Sequence, residues 1–206
     1  MTQDSSSRNQ WQLGKLFGIP LLIDSSWLLI VALVTVSNAI AWQSEFPAWG
    51  VTLTWTAGFA MAILLFASVL LHELGHSLVA KARGIQVNSI TLFLFGGIAS
   101  LEQEAKTPET TFLIAIAGPL VSLGLWLGLG WVAHFSTDAS AAHILFQDLA
   151  SINLILVLFN MIPGLPLDGG HVLKAAIWRA TGNRFLGSHW AARVGQTLGW
   201  SALILG

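Results

Sequence analysis

His72, Glu73 and His76 form the run H-E-L-G-H, set in a stretch that is otherwise almost wholly apolar. Between positions 51 and 80 these three are the only ionisable groups; the next are Lys81 and Arg83. Residues four apart on a helix share a face, so His72 and His76 can aim both imidazoles at one divalent ion. Glu73 lies about 100° further round, badly placed as a ligand to that ion and well placed beside a water bound to it. Catalytic zinc takes three protein ligands and a water, and two histidines with one carboxylate are an established set. The third ligand must therefore come from elsewhere in the chain. There is no cysteine, which excludes thiolate ligands, thiolate nucleophiles and disulfides.

Asp168 is the candidate. It is the carboxylate of the stretch N-M-I-P-G-L-P-L-D-G-G at 160–170, where Pro163, Gly164, Pro166, Gly169 and Gly170 rule out regular helix. Irregular backbone at membrane depth is tolerated only where it is buried in protein or lines a water-filled cavity. The competing reading makes Asp168 a cap for the helix that follows. Asn160, at the head of the stretch, could orient a substrate or donate to a developing oxyanion. Its competing reading is that it satisfies backbone groups freed by Pro163. Of the other histidines, His134 and His143 flank a loop between two apolar segments. His171, three residues past Asp168, reads as a solvated helix start before a neighbour of the metal, and His189 as a residue at the start of the last helix.

The elements that must position these residues are membrane spans. Of the 206 residues 54% are hydrophobic and 9% charged, against roughly 25% charged in soluble domains. Apolar segments at about 25–43, 51–81, 108–133 and 142–162 reach the length needed to cross a bilayer. Residues 13–24 break at Gly18 and Pro20 and read as two short strands, and 85–103 as a β-hairpin at the membrane surface. Thr107 and Pro108 open the third span as N-cap and first helical residue, and Gly84 closes the second. A shorter helix ends near Thr181, followed by Gly182. The last segment, 187–206, starts amphipathic and stops in mid-pattern, so the reading includes a truncated carboxy-terminal span. The expected fold is an all-α polytopic membrane bundle of four clear spans with small β-hairpin elements, a single domain over 1–206 with a disordered tail at 1–10. Trp27, Trp42 and Trp49 are expected as interfacial anchors.

Charge sets the orientation. The nine Lys and Arg residues avoid the loops at 44–50 and 134–141, so four spans place them all on one side. The positive-inside rule then puts the amino terminus and the hairpin in the cytoplasm, in a multi-pass cytoplasmic (inner) membrane protein. Hydration of the site from that side fits, since His72 lies about 14 Å of helix from Lys81. A net charge of −1 offers no basic patch, and no nucleic acid is expected as partner.

H-E-L-G-H at 72–76 and N-x-x-P-x-x-P-x-D-G at 160–169, in that order and in spanning segments, resemble the site-2 protease family of intramembrane zinc metalloproteases. In this chain the second proline, Pro166, stands one place later than in that family's pattern. F-G-G-I-A-S-L-E-Q-E at 95–104 and A-G-P-L-V-S at 117–122 are similar to a prokaryotic subgroup that often carries carboxy-terminal CBS domains, with Ser122 where Asn often stands. The resemblance implies one Zn2+ per chain held by His72, His76 and Asp168, with Glu73 as catalytic base and Asn160 contacting substrate. It also implies single-span membrane proteins as substrates, cleaved in or near the lipid bilayer in regulated intramembrane proteolysis, and CBS domains in a longer protein. A membrane zinc-binding or zinc-transport protein is the alternative, since buried His and Asp suit that role too. A third reading is an inactive relative acting as a scaffold, which the complete set of ligands and base opposes.

Overall fold

The structure, a computed structural model, describes residues 10–205 apart from 95 and 139, and omits the side chains of 202 and 205. The tail expected at 1–10 lies outside the described residues except for Gln10, which opens the first strand. In chain order the elements are β1 (Gln10–Leu16), β2 (Ile19–Asp24), α1 (Trp27–Glu45), a 3-10 turn (Pro47–Trp49), α2 (Gly50–Ala82), β3 (Val87–Phe93), β4 (Gly96–Leu101), α3 (Pro108–His134), α4 (Ala141–Asn160), α5 (Asp168–Thr181) and α6 (Arg184–Leu205).

Among the described residues α1, α2, α3 and α4 are long and apolar enough to cross a membrane, as expected; α6 is not among them. Local chemistry explains their limits. Thr107 accepts a hydrogen bond from the Thr110 amide with Pro108 in the first turn, so both residues play the expected capping parts. After α2 the chain turns at Gly84, φ +80°, and the Ile85 amide returns to the Ala80 carbonyl at 3.0 Å. α1 and α2 approach closely at Gly58, where a Cβ would lie 2.6 Å from the Thr35 carbonyl oxygen.

α2 has 33 residues and α3 has 27, against 19 in α1 and 20 in α4. At 1.5 Å per residue the longer pair extends roughly 10–20 Å beyond the shorter. α4 ends at Asn160 beside the cavity that holds His72 and His76. α1 begins beside Phe66, where the Trp27 ring lies 5.0 Å away. The overhang of α2 is clothed by the strands. β1–β2 and β3–β4 are hairpins, and β2 pairs parallel with β3 through Leu21–Ile90, Leu22–Thr91 and Ile23–Leu92. They thus form one four-stranded sheet of order β1-β2-β3-β4, where the sequence predicted two separate elements. Its inner face, Ile19, Ile23, Ile90 and Leu92, packs on Ala62, Phe66 and Leu74 of α2. The Leu94 amide donates to Ser26 Oγ at 3.1 Å, which ties the second hairpin to the start of α1.

Trp42 corrects an expectation. It is not an interfacial anchor: it is 3% exposed, packed with Ala57, Met61, Leu145 and Leu149. Its Nε1–H donates to Asp148 Oδ2 at 3.2 Å, so a buried indole finds its acceptor across the bundle on α4.

Candidate metal centre

Three helices and one break build the site. α2 carries His72 and His76 one turn apart on the face turned to α3. α3 presents Gly118, Ile114 and Ser122 to them. After α4 the chain leaves helical geometry for residues 161–167 and resumes at Asp168, the first residue of α5. The N-cap of α5 is Leu167, and no side chain caps the helix. Asp168 is thus not a cap. Its Oδ2 lies 3.2 Å from His72 Nε2 and 3.4 Å from His76 Nε2, and the two Nε2 atoms are 3.1 Å apart. Among the described residues this is the one group of three potential metal-ligating side chains whose donor atoms converge.

Proton bookkeeping shows what the triangle needs. His76 Nδ1 lies 2.6 Å from the Ile114 carbonyl oxygen. A carbonyl can only accept, so Nδ1 carries the proton and Nε2 of the neutral ring carries a lone pair. His72 Nδ1 lies 2.9 Å from Ser122 Oγ, and donation there leaves the His72 Nε2 lone pair free as well. Two nitrogen lone pairs and a carboxylate oxygen then face one another with no proton between them. Such a set is repulsive unless a cation sits at its centre. Ligand atoms about 2.0–2.1 Å from a tetrahedral zinc ion lie about 3.3 Å from one another, and the three separations of 3.1, 3.2 and 3.4 Å match that spacing. The donor set therefore fits zinc.

Gly118 keeps this space open. A Cβ at that position would fall 2.6 Å from His72 Nε2 and closer still to His76 Nε2. Gly118→Val is expected to abolish zinc retention while leaving the helical content unchanged, checked by metal analysis beside far-ultraviolet circular dichroism. Ser122 is fully buried, with its Oγ 2.9 Å from His72 Nδ1. Hydrogen-bond partners of metal-bound histidines typically tune affinity by about 10–100-fold. Ser122→Ala should accordingly weaken zinc binding by about tenfold or more in a chelator competition, with Ser122→Asn retaining it.

A cavity of about 330 Å³ opens onto the triangle, lined by His72, Glu73, His76, Gly97, Ile98, Ala99, Leu101, Asn160, Pro166, Asp168 and His171. Glu73 is thus brought to the same space as the three converging side chains without joining them. Gly97 of β4 lies against it: a Cβ there would be 2.5 Å from Glu73 Cγ. Asn160 also faces the cavity, while its Nδ2 donates to the Leu156 carbonyl at 3.0 Å within its own helix. His171 lines the cavity too, half-buried, where the sequence favoured a solvated position. Burial and the neighbouring Lys174 charge hold its ring below the ordinary histidine pKa, so it is neutral at pH 7. His134, His143 and His189 do not join the site; His143 Nδ1–H donates to the Ala133 carbonyl at 2.9 Å.

The sequence singled out five site residues, and the structure places all of them at one cavity. It did not find the two partners of the imidazoles. Ser122 had a signal, its place in A-G-P-L-V-S. The Ile114 carbonyl had none, because every residue owns one.

The family model described as Peptidase family M50 matches residues 60–143 and 132–202. A protein of Synechocystis (strain PCC 6803), named provisionally as a zinc metalloprotease, is 52% identical over 198 residues, which are 96% of this chain and 52% of the relative. Zinc metalloprotease MJ0392 of Methanocaldococcus jannaschii is 35% identical over 199 residues, 95% of this chain and 53% of the relative. The chain spans about half the length of these curated relatives. Among solved structures, the site-2 protease from Methanocaldococcus jannaschii superposes with a TM-score of 0.68 at 34% identity, covering 96% of this chain and 84% of that one.

Proposed function

Because this chain belongs to peptidase family M50, we propose that it is the catalytic domain of an intramembrane zinc metalloprotease that hydrolyses peptide bonds of single-span membrane proteins. One observation carries the reading: lone pairs of His72 Nε2, His76 Nε2 and Asp168 Oδ2 converge at zinc spacing beside a carboxylate that is not a ligand. Zinc held there would supply Lewis acidity and a coordinated water acidic enough to ionise near pH 7.

The chain's own residues supply the rest. Glu73 accepts the proton of the attacking water on its carboxylate and returns it to the leaving amine nitrogen. Asn160, at the cavity wall, orients the scissile segment or donates to the oxyanion. β4 is an outer strand of the sheet, and Gly97, Ile98, Ala99 and Leu101 line the cavity. A substrate helix must unwind before its carbonyl is accessible, and a strand beside β4 gives the unwound segment main-chain partners. The cavity lies on the overhanging side of the bundle, with the tip of the β1–β2 hairpin, where Lys81 Nζ donates to the Phe17 carbonyl at 2.8 Å. By the positive-inside rule that side is cytoplasmic, as is the amino terminus, and water reaches the site from there. Cleavage there would release a substrate fragment in regulated intramembrane proteolysis, and CBS domains would belong to a longer protein.

A zinc transporter would need onward ligands along its path. Among the described residues there is no second cluster of three metal-ligating side chains. The test is reconstitution of the purified chain in lipid vesicles with a single-span substrate. Cleavage should stop on adding a zinc chelator and return on adding zinc. Zinc flux across the vesicles with no cleavage of any substrate offered would favour the transporter.

A further inference from the structure

The third ligand comes from a stretch with no regular hydrogen-bond ladder, and its carboxylate must still be held to a fraction of an ångström. The structure shows what holds it. On one side the stretch meets the first turn of α5: a Cβ on Gly169 would lie 2.5 Å from the Ile162 carbonyl oxygen, and one on Gly170 would lie 2.6 Å from the Gly164 carbonyl oxygen. On the other side it meets α6. The Leu165 amide donates to the Ala191 carbonyl of α6 at 3.1 Å. Ala191 is fully buried. A Cβ on Gly195 would lie 3.1 Å from the Leu165 nitrogen and nearer still to its carbonyl oxygen, while a Cβ on Gly164 would lie 2.6 Å from Gly195 Cα. α6 and the stretch are therefore in backbone-to-backbone contact three residues before Asp168. Another glycine of the same helix, Gly199, has nothing within 4 Å of its Cβ position.

We propose that α6 is a positioning strut for the metal centre: Ala191 and Gly195 fix the path of residues 163–167 and thereby the reach of Asp168 to the metal. The proposal rests on the metal-site reading above. A side chain at Gly195 meets backbone, which cannot swing aside as a flexible side chain would. The stretch must move away from α6, and Asp168 moves with it. The helical ligands His72 and His76, on α2, stay where α3 holds them.

The test uses the purified chain loaded with zinc or with cobalt. Gly195→Ala, Gly195→Val and Gly199→Val are each made alone and in an Asp168→Ala background. Zinc affinity is read by chelator competition and the ligand field by the visible spectrum of the cobalt protein. Gly195→Val should weaken zinc binding by about 10–100-fold, the range for residues that orient ligands, and should alter the cobalt spectrum. Gly195→Ala should do so to a smaller degree, which decides the matter if the valine variant does not fold. Gly199→Val should leave both readouts unchanged. In the Asp168→Ala background Gly195→Val should add less than about a twofold further loss, because the coupling runs through that carboxylate. Unchanged affinity in both Gly195 variants would overturn the strut, as would an equal loss with and without Asp168, which marks general loosening. If Asp168→Ala itself leaves zinc affinity intact, the metal-site reading fails and the strut fails with it.

Discussion

Glu73→Gln should lower kcat by about 10³-fold or more while leaving one zinc ion bound per chain. General-base catalysis by a positioned carboxylate contributes about 10²–10⁴-fold, and glutamine keeps the shape of the side chain while removing its capacity to take a proton. Glu73 lines the cavity but does not belong to the converging set of His72, His76 and Asp168. Gly97 admits the side chain without a clash, and glutamine adds no volume there. Zinc content by elemental analysis and turnover of a single-span substrate, measured on the same preparation, check both halves. Undiminished turnover would remove Glu73 from the chemistry. Loss of zinc would make it a ligand after all and would require a different base.

Asp168→Ala should weaken zinc binding by more than about 100-fold, beyond the 10–100-fold typical of residues that merely orient ligands, and should reduce cleavage to background. Two imidazoles one turn apart remain in that variant, but the anion that completes the triangle is gone. Asp168 Oδ2 lies within 3.4 Å of both Nε2 atoms, so no water-filled gap separates it from the site. Asp168→Glu separates charge from reach: the charge is kept, but the longer side chain starts from a backbone whose preceding stretch is fixed between α5 and α6. It should retain zinc more weakly than the native chain and more tightly than Asp168→Ala. Titration against a chelator of known affinity orders the three. Equal affinity in all three would take Asp168 out of the ligand set.

Legibility followed locality. The start of α3 was readable because Thr107 and Pro108 act within one turn, and the end of α2 because Gly84 adopts a positive φ that its residue type allows. Both are properties of neighbours in sequence. His72 and His76 stood out for a different reason: an ionisable group in an apolar span is expensive, so its presence asks for a function. The misses needed contacts between distant residues. Trp42 reads as an interface residue until Asp148, more than a hundred positions later, supplies its acceptor. The two hairpins read as separate until Leu21 pairs with Ile90. A strand's alternation shows which of its faces is turned inward, not which distant strand lies beside it. His171 was misplaced because a helix start is usually hydrated, whereas this one faces the cavity. The grip of Ala191 on Leu165 is carried by backbone atoms, which every residue offers alike.

The broken stretch before Asp168 is held by short-range turns and by neighbouring backbone. Prolines and glycines break the helix at 161–167, yet Leu167 N–H returns to the Gly164 carbonyl at 3.0 Å and Gly170 N–H to the Leu167 carbonyl at 2.9 Å. Small residues let neighbouring backbones come within contact distance, and the broken stretch is held by that contact instead of by its own ladder.

X-ray absorption at the zinc edge of the metal-loaded chain reads the ligand set of His72, His76 and Asp168 itself. Two imidazole nitrogens and one or two further oxygens are expected at about 2.0–2.1 Å, with the loss of one imidazole in His72→Ala or His76→Ala and the loss of one oxygen in Asp168→Ala. A first shell without imidazole, or one that Asp168→Ala leaves unchanged, would contradict that ligand set.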